Sequence, residues 1–410
     1  GWLRKSPRLP CWTSHESLTQ QGKPRYGTRN SPQKTRLNHK NYARIVIQKF
    51  KTTRKNKMKL YTNEIVFRGH PDKVCDQISD ALLDAFLAGD KTSRCGIEVM
   101  GGKGKIFITG EVTTSSEVNV EEVVRRVLKD VGYIDQNNRA INVVESGNPD
   151  EIEIVNNLGK QSHDIALGTN DEVGGAGDQG MMFGFACDET SDYKPIAMQL
   201  LQDFSRFYDE LRQQDTRFLP DGKTQITGIY DSNMHLVKIK DWTISYQNTE
   251  EDREATDKIL MDQARKLAKQ YNLEVEKFLF NPTGKFLIGG FQGDAGLTGR
   301  KIVVDSYQSF TPVGGGAFSG KDPSKVDRSG AYKAREIAIR YLKEYQLARC
   351  EVQLSYAIGI AEPLAIYIVG DGKNIDPKPE LYAECTPKQM ISDLDLLNKR
   401  FEETAKFGHF

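Results

Sequence analysis

The chain has 410 residues, 38% hydrophobic and 28% charged, the balance of an ordinary globular protein with room for two or three domains. No apolar run reaches the length of a membrane span. The six cysteines stand far apart without a C-x-x-C pair, which argues against a zinc site and a disulfide framework and suits a reducing compartment. The net charge of +1 hides an asymmetry: residues 1–57 hold fifteen Lys or Arg against one acid, +14, so the remainder carries 1 − 14 = −13.

That basic leader lacks sustained apolar periodicity, and the first methionine in the chain is Met58. Three readings compete for it: an organelle-targeting peptide, a nucleic-acid-binding arm, or sequence lying ahead of a start at Met58. The last is favoured, and the leader is expected to stand outside the fold.

From Met58 the chain becomes periodic. Residues 71–88, "PDKVCDQISDALLDAFLA", read as a helix with Val74, Ile78, Leu82 and Ala85 on one stripe. Asp72, Asp76, Asp80 and Asp84 recur every fourth residue on another face; the last three read as a solvated row. "KIFITGEVTT" (105–114) reads as a strand, and "NVEEVVRRVLKDVG" (119–132) as a second helix with an Asn119–Glu122 capping box and a stop at Gly132. "TQITGIY" and "HLVKIKDWTISYQ" form a strand pair around the turn "DSNM". "KFLIGGF", "RKIVVDSY", "EVQLSYAIGI" and "LAIYIV" all read as strands, and 327–345 as a helix. Helices interleaved with strand pairs throughout predict an α+β fold, sheets with one face covered by helices. A weak echo, "GGAGDQG" (174–180) against "GGFQGDAG" (289–296), hints at three similar domains.

"GGGAFSGKD" (314–322) nearly spells a phosphate-binding P-loop. Asp322 stands where that loop needs Ser or Thr for magnesium, and "QSFTPV" separates the glycines from the preceding apolar run. What remains is close backbone approach at Gly314–Gly316, and Lys321 and Lys325 placed to face one anion ahead of a helix start. Other turns carry charge too: "RGHPDK" offers His70, Asp72 and Lys73; "GAGDQG" Asp178; "PDGK" Asp221 and Lys223; "NPTGKF" Lys285; "GDAGLTGRK" Asp294, Arg300 and Lys301. Alone each is an ordinary turn. Together they point to a polyphosphate held by Lys and Arg, with acids placed for magnesium.

These segments, with "GHPDKVCDQISDALLDA", "GEVTT", "GAGDQGMMFGFACDET", "NPTGKFLIGG", "GGGAFSGKDPSKVDRS" and "SYAIGIAEP", resemble the S-adenosylmethionine synthetase (methionine adenosyltransferase) family in order and spacing, from about residue 60 to the end. The resemblance implies synthesis of S-adenosylmethionine from ATP and L-methionine. The sulfur attacks the ribose 5′ carbon, and the triphosphate is released and hydrolysed to phosphate and pyrophosphate. By resemblance His70 lies near the ribose–triphosphate bridge, and Lys223, Arg300, Lys301 and Lys321 contact phosphates. Asp221, Lys285, Phe286 and Ala317 line the nucleotide site. Glu111, Gln161, Asp178 and Lys325 serve methionine, with Asp294 touching both substrates. Asp72 and Asp327 are expected at magnesium, two ions per site, and Glu98 at potassium.

The family further implies three similar domains about a pseudo-threefold axis and a homodimer with active sites at the subunit interface, often paired into tetramers. A cytoplasmic location is expected, with no nucleic-acid or membrane partner. The expected divisions are 58–160, a mobile gate at 161–176, 177–288 and 289–410. Departures from the family pattern are Arg68 where Glu is usual, expected to place a cation beside His70, Lys285 in place of Arg, a shorter gate, and an end at "GHF". The other classes are a non-catalytic homologue serving as partner subunit and an ATP-dependent phosphoryl transferase, which would leave ADP.

Overall fold

The strands in this chain form because small and β-branched residues alternate across one buried face. In Arg94–Gly102, Cys95, Ile97 and Val99 point inward and are buried, while Glu98 and Met100 face out. The structure, a computed structural model, describes residues 58–137, 152–160 and 174–410. The basic leader, Gln161 and residues 161–173 of the expected gate lie outside them.

Among the described residues there are three sheets of four strands. In the first, Arg94–Gly102 and Lys105–Thr113 make an antiparallel hairpin, Glu153–Gly159 joins in parallel, and Gly296–Leu297 lies antiparallel on the other edge. In the second, Phe218–Tyr230 and Leu236–Asn248 form the hairpin, flanked by antiparallel Lys59–Val66 and parallel Val275–Phe280. In the third, Arg349–Tyr356 and Ala365–Gly370 are flanked by Gly180–Cys187 and Lys373–Ile375, all antiparallel.

Each sheet is therefore a local hairpin, a local strand on one edge, and on the other edge a strand carried in from elsewhere in the chain. The carried strands run in a circle: the first joins the second sheet, the next joins the third, and the last joins the first. The two echoing glycine segments occupy equivalent places in this scheme. Asp178 and Asp294 each stand two residues before a carried strand, and each accepts the N–H of the next residue on Oδ1, at 2.7 and 2.8 Å. Helices of 19 residues, Pro71–Gly89, Ile196–Gln214 and Val326–Glu344, cover the three sheets in turn, each over its own apolar core.

The Pro71–Gly89 helix starts as the sequence predicts, with Pro71 in the first turn and the His70 side chain accepting the N–H of Asp72. Val74, Ile78 and Leu82 are fully buried. Val120–Val131 begins with Asn119 accepting from Glu122 N–H and ends on Gly132 at φ 86°, the left-handed stop. The Asp row is not solvated. Asp76 and Asp80 are buried and Asp84 half-buried, because three segments from the far end of the chain pack across this helix and give the carboxylates their N–H groups.

Two predicted strands are absent. "KFLIGGF" finds no ladder: Gly290 turns at φ 59°, and Phe291 is buried against Gly101 and Tyr133. "RKIVVDSY" makes a single helical turn, Ile302–Asp305, despite its β-branched residues, and Asp305 is held there by a buried ion pair to Lys73 at 2.6 Å. "PDGK", expected as a turn, lies inside the Phe218–Tyr230 strand, where an irregular register bends the hairpin between Phe218 and Gly222. On the solvent side, Met100, Phe107 and Leu297 of the first sheet and Met181 and Tyr367 of the third are exposed.

Candidate active site

The first set of site residues gathers where the Pro71–Gly89 helix begins. His70 caps it, and the Asp72 carboxylate, nearly inaccessible, lies 4.0 Å from His70 Nδ1. Lys301 Nζ meets Asp72 Oδ2 at 2.5 Å, Arg300 Nη1 meets Oδ1 at 3.3 Å, and Leu297 donates its N–H to Oδ1 at 3.0 Å. Burial, reinforced by the neighbouring Lys301, pushes the His70 imidazole down to about 4, so it is neutral at pH 7. Lys223 and Asp294 are also close enough to act on it. Asp221 accepts Gly290 N–H at 2.7 Å, and burial raises its carboxyl to about 6. The chain from Phe286 to Gly290 runs alongside: Phe286 O accepts from Asn248 N–H, and Gly289 lies against Gln247 and Asp221. Lys285 is exposed and Phe286 half-buried.

The second set is built on the glycine-rich loop. Lys321 Nζ meets Asp327 Oδ2 at 2.5 Å, and Lys325 Nζ meets Glu111 Oε1 at 3.2 Å, so the two lysines face different carboxylates rather than one anion. A Cβ on Gly316 would stand 2.0 Å from Asp327 Oδ1, so any larger residue there must displace that carboxylate. Asp322 is fully buried. It accepts Cys95 N–H on Oδ2 at 2.8 Å and Ser324 N–H on Oδ1, tying the loop to the Arg94–Gly102 strand. The residue that breaks the P-loop pattern is thus an anchor. Glu98 is exposed, on the same sheet face as Glu111, because Gly96 two residues away pairs with Glu111 across the ladder. Asp178 is exposed just before the Gly180–Cys187 strand. The two sets abut where Gly299 meets Ala317, whose Cβ lies 2.6 Å from where a Cβ on Gly299 would sit.

Two residues behave differently from the sequence reading. Lys73, grouped with the exposed cations, is buried on Asp305. Arg68 turns away from His70. It pairs with Asp130 and, at 3.3 Å, with Asp209, and donates to Gln77 Oε1 at 2.6 Å, joining three helices. Arg68→Met is therefore expected to cost about 1–3 kcal/mol of stability, because Asp209 and Gln77 lose a buried donor. A urea titration of the variant should show a lower midpoint at unchanged slope; an unmoved midpoint would remove the clamp.

Sequence reasoning missed Asp76 and Asp80. Their signal was the four-residue spacing, which places all four carboxylates on one side of the helix. Burial pushes Asp76 up to about 7 from 3.8. Its folded-state value lies above the unfolded one, so its contribution is complete below about pH 4 and is lost as pH rises through about 7. Asp76→Asn, which mimics the protonated form, is expected to gain stability over the parent between about pH 4 and 7 and to hold a constant lead above that. Paired urea midpoints across this range test it, and a difference that stays flat with pH contradicts it.

Among the described residues no three His, Cys, Asp or Glu side chains cluster as a metal site. Asp72 and Asp327 stand as separate carboxylates. That suits magnesium, which takes one or two protein carboxylates and completes its shell with phosphate and water.

Residues 58–163 match the family described as S-adenosylmethionine synthetase, N-terminal domain; residues 173–286 match its central domain and 288–410 its C-terminal domain. The chain is 40% identical over 375 residues to an S-adenosylmethionine synthase of Clostridium tetani, covering 86% of this chain and 94% of that protein. It is 42% identical over 392 residues to the enzyme of that name from Prochlorococcus marinus, covering 86% and 93%. With the one from Helicobacter pylori it shares 42% over 364 residues, covering 86% and 92%.

Proposed function

This chain belongs to the S-adenosylmethionine synthetase family, and from that premise we propose how its residues divide the work of making S-adenosylmethionine from ATP and L-methionine. The methionine sulfur attacks the ribose 5′ carbon, the triphosphate leaves, and water then splits it to pyrophosphate and phosphate. Charge accumulates on the departing oxygens, so the site must present preorganised cations there and align sulfur behind the carbon. Arg300, Lys301, Lys223 and Lys321 take the phosphates. His70, held neutral, donates a hydrogen bond near the bridge oxygen without adding a further positive charge. Asp221, Lys285, Phe286 and Ala317 line the nucleotide. Glu111, Gln161, Asp178, Asp294 and Lys325 receive methionine, Lys325 and Glu111 suiting its carboxylate and ammonium in turn. Asp72 and Asp327 would hold two magnesium ions, which neutralise phosphate oxygens when bound, and Glu98 would hold potassium.

The observation that carries this reading is the buried Asp72, placed between a neutral His70 and the two cations Arg300 and Lys301. A phosphate chain entering there finds cations already assembled and a carboxylate ready for metal. The homodimer is supported by the exposed apolar residues on the first and third sheets, surfaces suited to a second copy. The division into domains near 58–160, 177–288 and 289–410, with a gate at 161–176, belongs to the same proposal. Among the described residues no helix is long and apolar enough to cross a membrane.

Product analysis is decisive. Incubated with ATP, methionine, magnesium and potassium, the protein is expected to yield S-adenosylmethionine with pyrophosphate and phosphate. ADP as the product would identify a phosphoryl transferase, and no turnover a non-catalytic homologue.

A further inference from the structure

The Pro71–Gly89 helix meets the two cationic loops through a repeated device. Gly299 sits at φ 83° directly before Arg300 and Lys301, and its N–H is bound by Asp76 Oδ1 at 2.8 Å. Gly320 sits at φ 82° directly before Lys321, and its N–H is bound by Asp80 Oδ1 at 2.9 Å. Asp76 and Asp80 are one turn apart on the same helix. Neither glycine tolerates a side chain: a Cβ would come within 2.6 Å of Ala317 Cβ in one case and 2.0 Å of Ile97 O in the other. Arg328, bidentate on Asp80 at 2.7 Å, also reaches Lys321 O at 3.3 Å, so this loop is held from both sides of the lysine's peptide unit.

We propose that Asp76 and Asp80 are positioning residues. Each fixes a left-handed glycine, and with it the cation that follows, so that Arg300–Lys301 and Lys321 keep a set offset along one rigid helix. A buried carboxylate is a weak stabiliser but a strong director of N–H groups. A polyphosphate can be neutralised in the transition state only by cations whose spacing does not relax as charge moves. The inference rests on the phosphate-binding reading of Arg300, Lys301 and Lys321.

The test is a double-mutant cycle on kcat with Asp76→Ala and Lys301→Met, alongside Asp76→Asn, which keeps an oxygen for Gly299 N–H. Asp76→Ala is expected to lower kcat about ten- to hundredfold, and Asp76→Asn to stay within about threefold of the parent. If Asp76 acts through the Arg300–Lys301 loop, adding Asp76→Ala to Lys301→Met costs clearly less than it costs the parent, the remainder being what Arg300 carries. Joined to Lys321→Met, a lysine on the other loop, Asp76→Ala should multiply its loss instead. The proposal is overturned if the Asp76–Lys301 losses multiply, as a general structural defect would make them, or if Asp76→Asn falls as far as Asp76→Ala. A Lys301→Met variant with parental kcat would instead defeat the functional reading, and this inference with it. Should Asp76→Ala fail to fold, Asp76→Ser, whose hydroxyl stops short of Gly299, carries the same cycle.

Discussion

Changing Lys321 to methionine is expected to lower kcat about thirty- to thousandfold, roughly 2–4 kcal/mol, with the melting temperature almost unmoved. Methionine keeps most of the apolar stem and removes only the ammonium. That ammonium stands 2.5 Å from Asp327 on a side chain that is 23% exposed, so its pairing contributes about 1 kcal/mol to stability. Its value lies in the transition state, where the leaving triphosphate gathers charge that a preorganised cation stabilises more than it stabilises ground-state ATP. The loss should therefore appear in kcat, while KM for methionine, whose proposed contacts are Lys325 and Glu111, changes little. Measuring kcat and melting temperature side by side separates this from a structural loop. A kcat within twofold of the parent would show that Lys321 does not act on the phosphates.

Arg328→Met is expected to produce the largest loss of stability, about 3–5 kcal/mol. Arg328 and Asp80 are both fully buried and joined by two hydrogen bonds of 2.7 Å, and the guanidinium also lies 4.2 Å over the Phe401 ring. Removing the cation leaves a carboxylate in the interior with Gly320 N–H as its remaining main partner. Removing both, as Asp80→Leu with Arg328→Met, strands no charge and should recover most of the stability without restoring kcat, because Gly320 then loses its acceptor. Urea midpoints for the single and double variants check the first half, and turnover checks the second. A double variant as unstable as the single one would mean the cost lies in packing, not in the orphaned carboxylate.

The fold was legible where one face decides the pattern. The helices at 71–88, 119–132 and 327–345 follow their apolar stripes and caps, and the hairpin around "DSNM" follows its alternation. It was not legible where distant chain decides. "RKIVVDSY" has strand composition, yet Lys73, more than two hundred residues earlier, holds Asp305 in a helical turn. The Asp row looked solvated because a helix sequence does not say what will be laid across it. The charged glycine turns were readable as a group, since Gly and Pro mark where backbone and cations meet. Their partition into a set around Asp72 and a set around Asp327 was not, because it depends on which loop crosses which end of the helix. Arg68 was read from its neighbour in sequence, His70, when its partners come from two other helices.

The circular exchange of edge strands has a consequence for how this chain emerges from the ribosome. Lys59–Val66 is made early, but its partner Phe218–Tyr230 follows more than 150 residues later. At about 5–20 residues per second that is a wait of roughly ten seconds or more. The hairpin of the first sheet waits longer still for Gly296–Leu297 to cover its edge, and Gly180–Cys187 cannot pair until Arg349–Tyr356 appears. No third of the nascent chain can close its own sheet. Each partial product offers open ladders to its neighbours, so a stalled or prematurely ended polypeptide is a template for aggregation rather than a folded fragment. The sheets close in turn, the second with Val275–Phe280, the first with Gly296–Leu297 and the third only with Lys373–Ile375, so the nascent chain holds an open sheet until nearly its last residues are made.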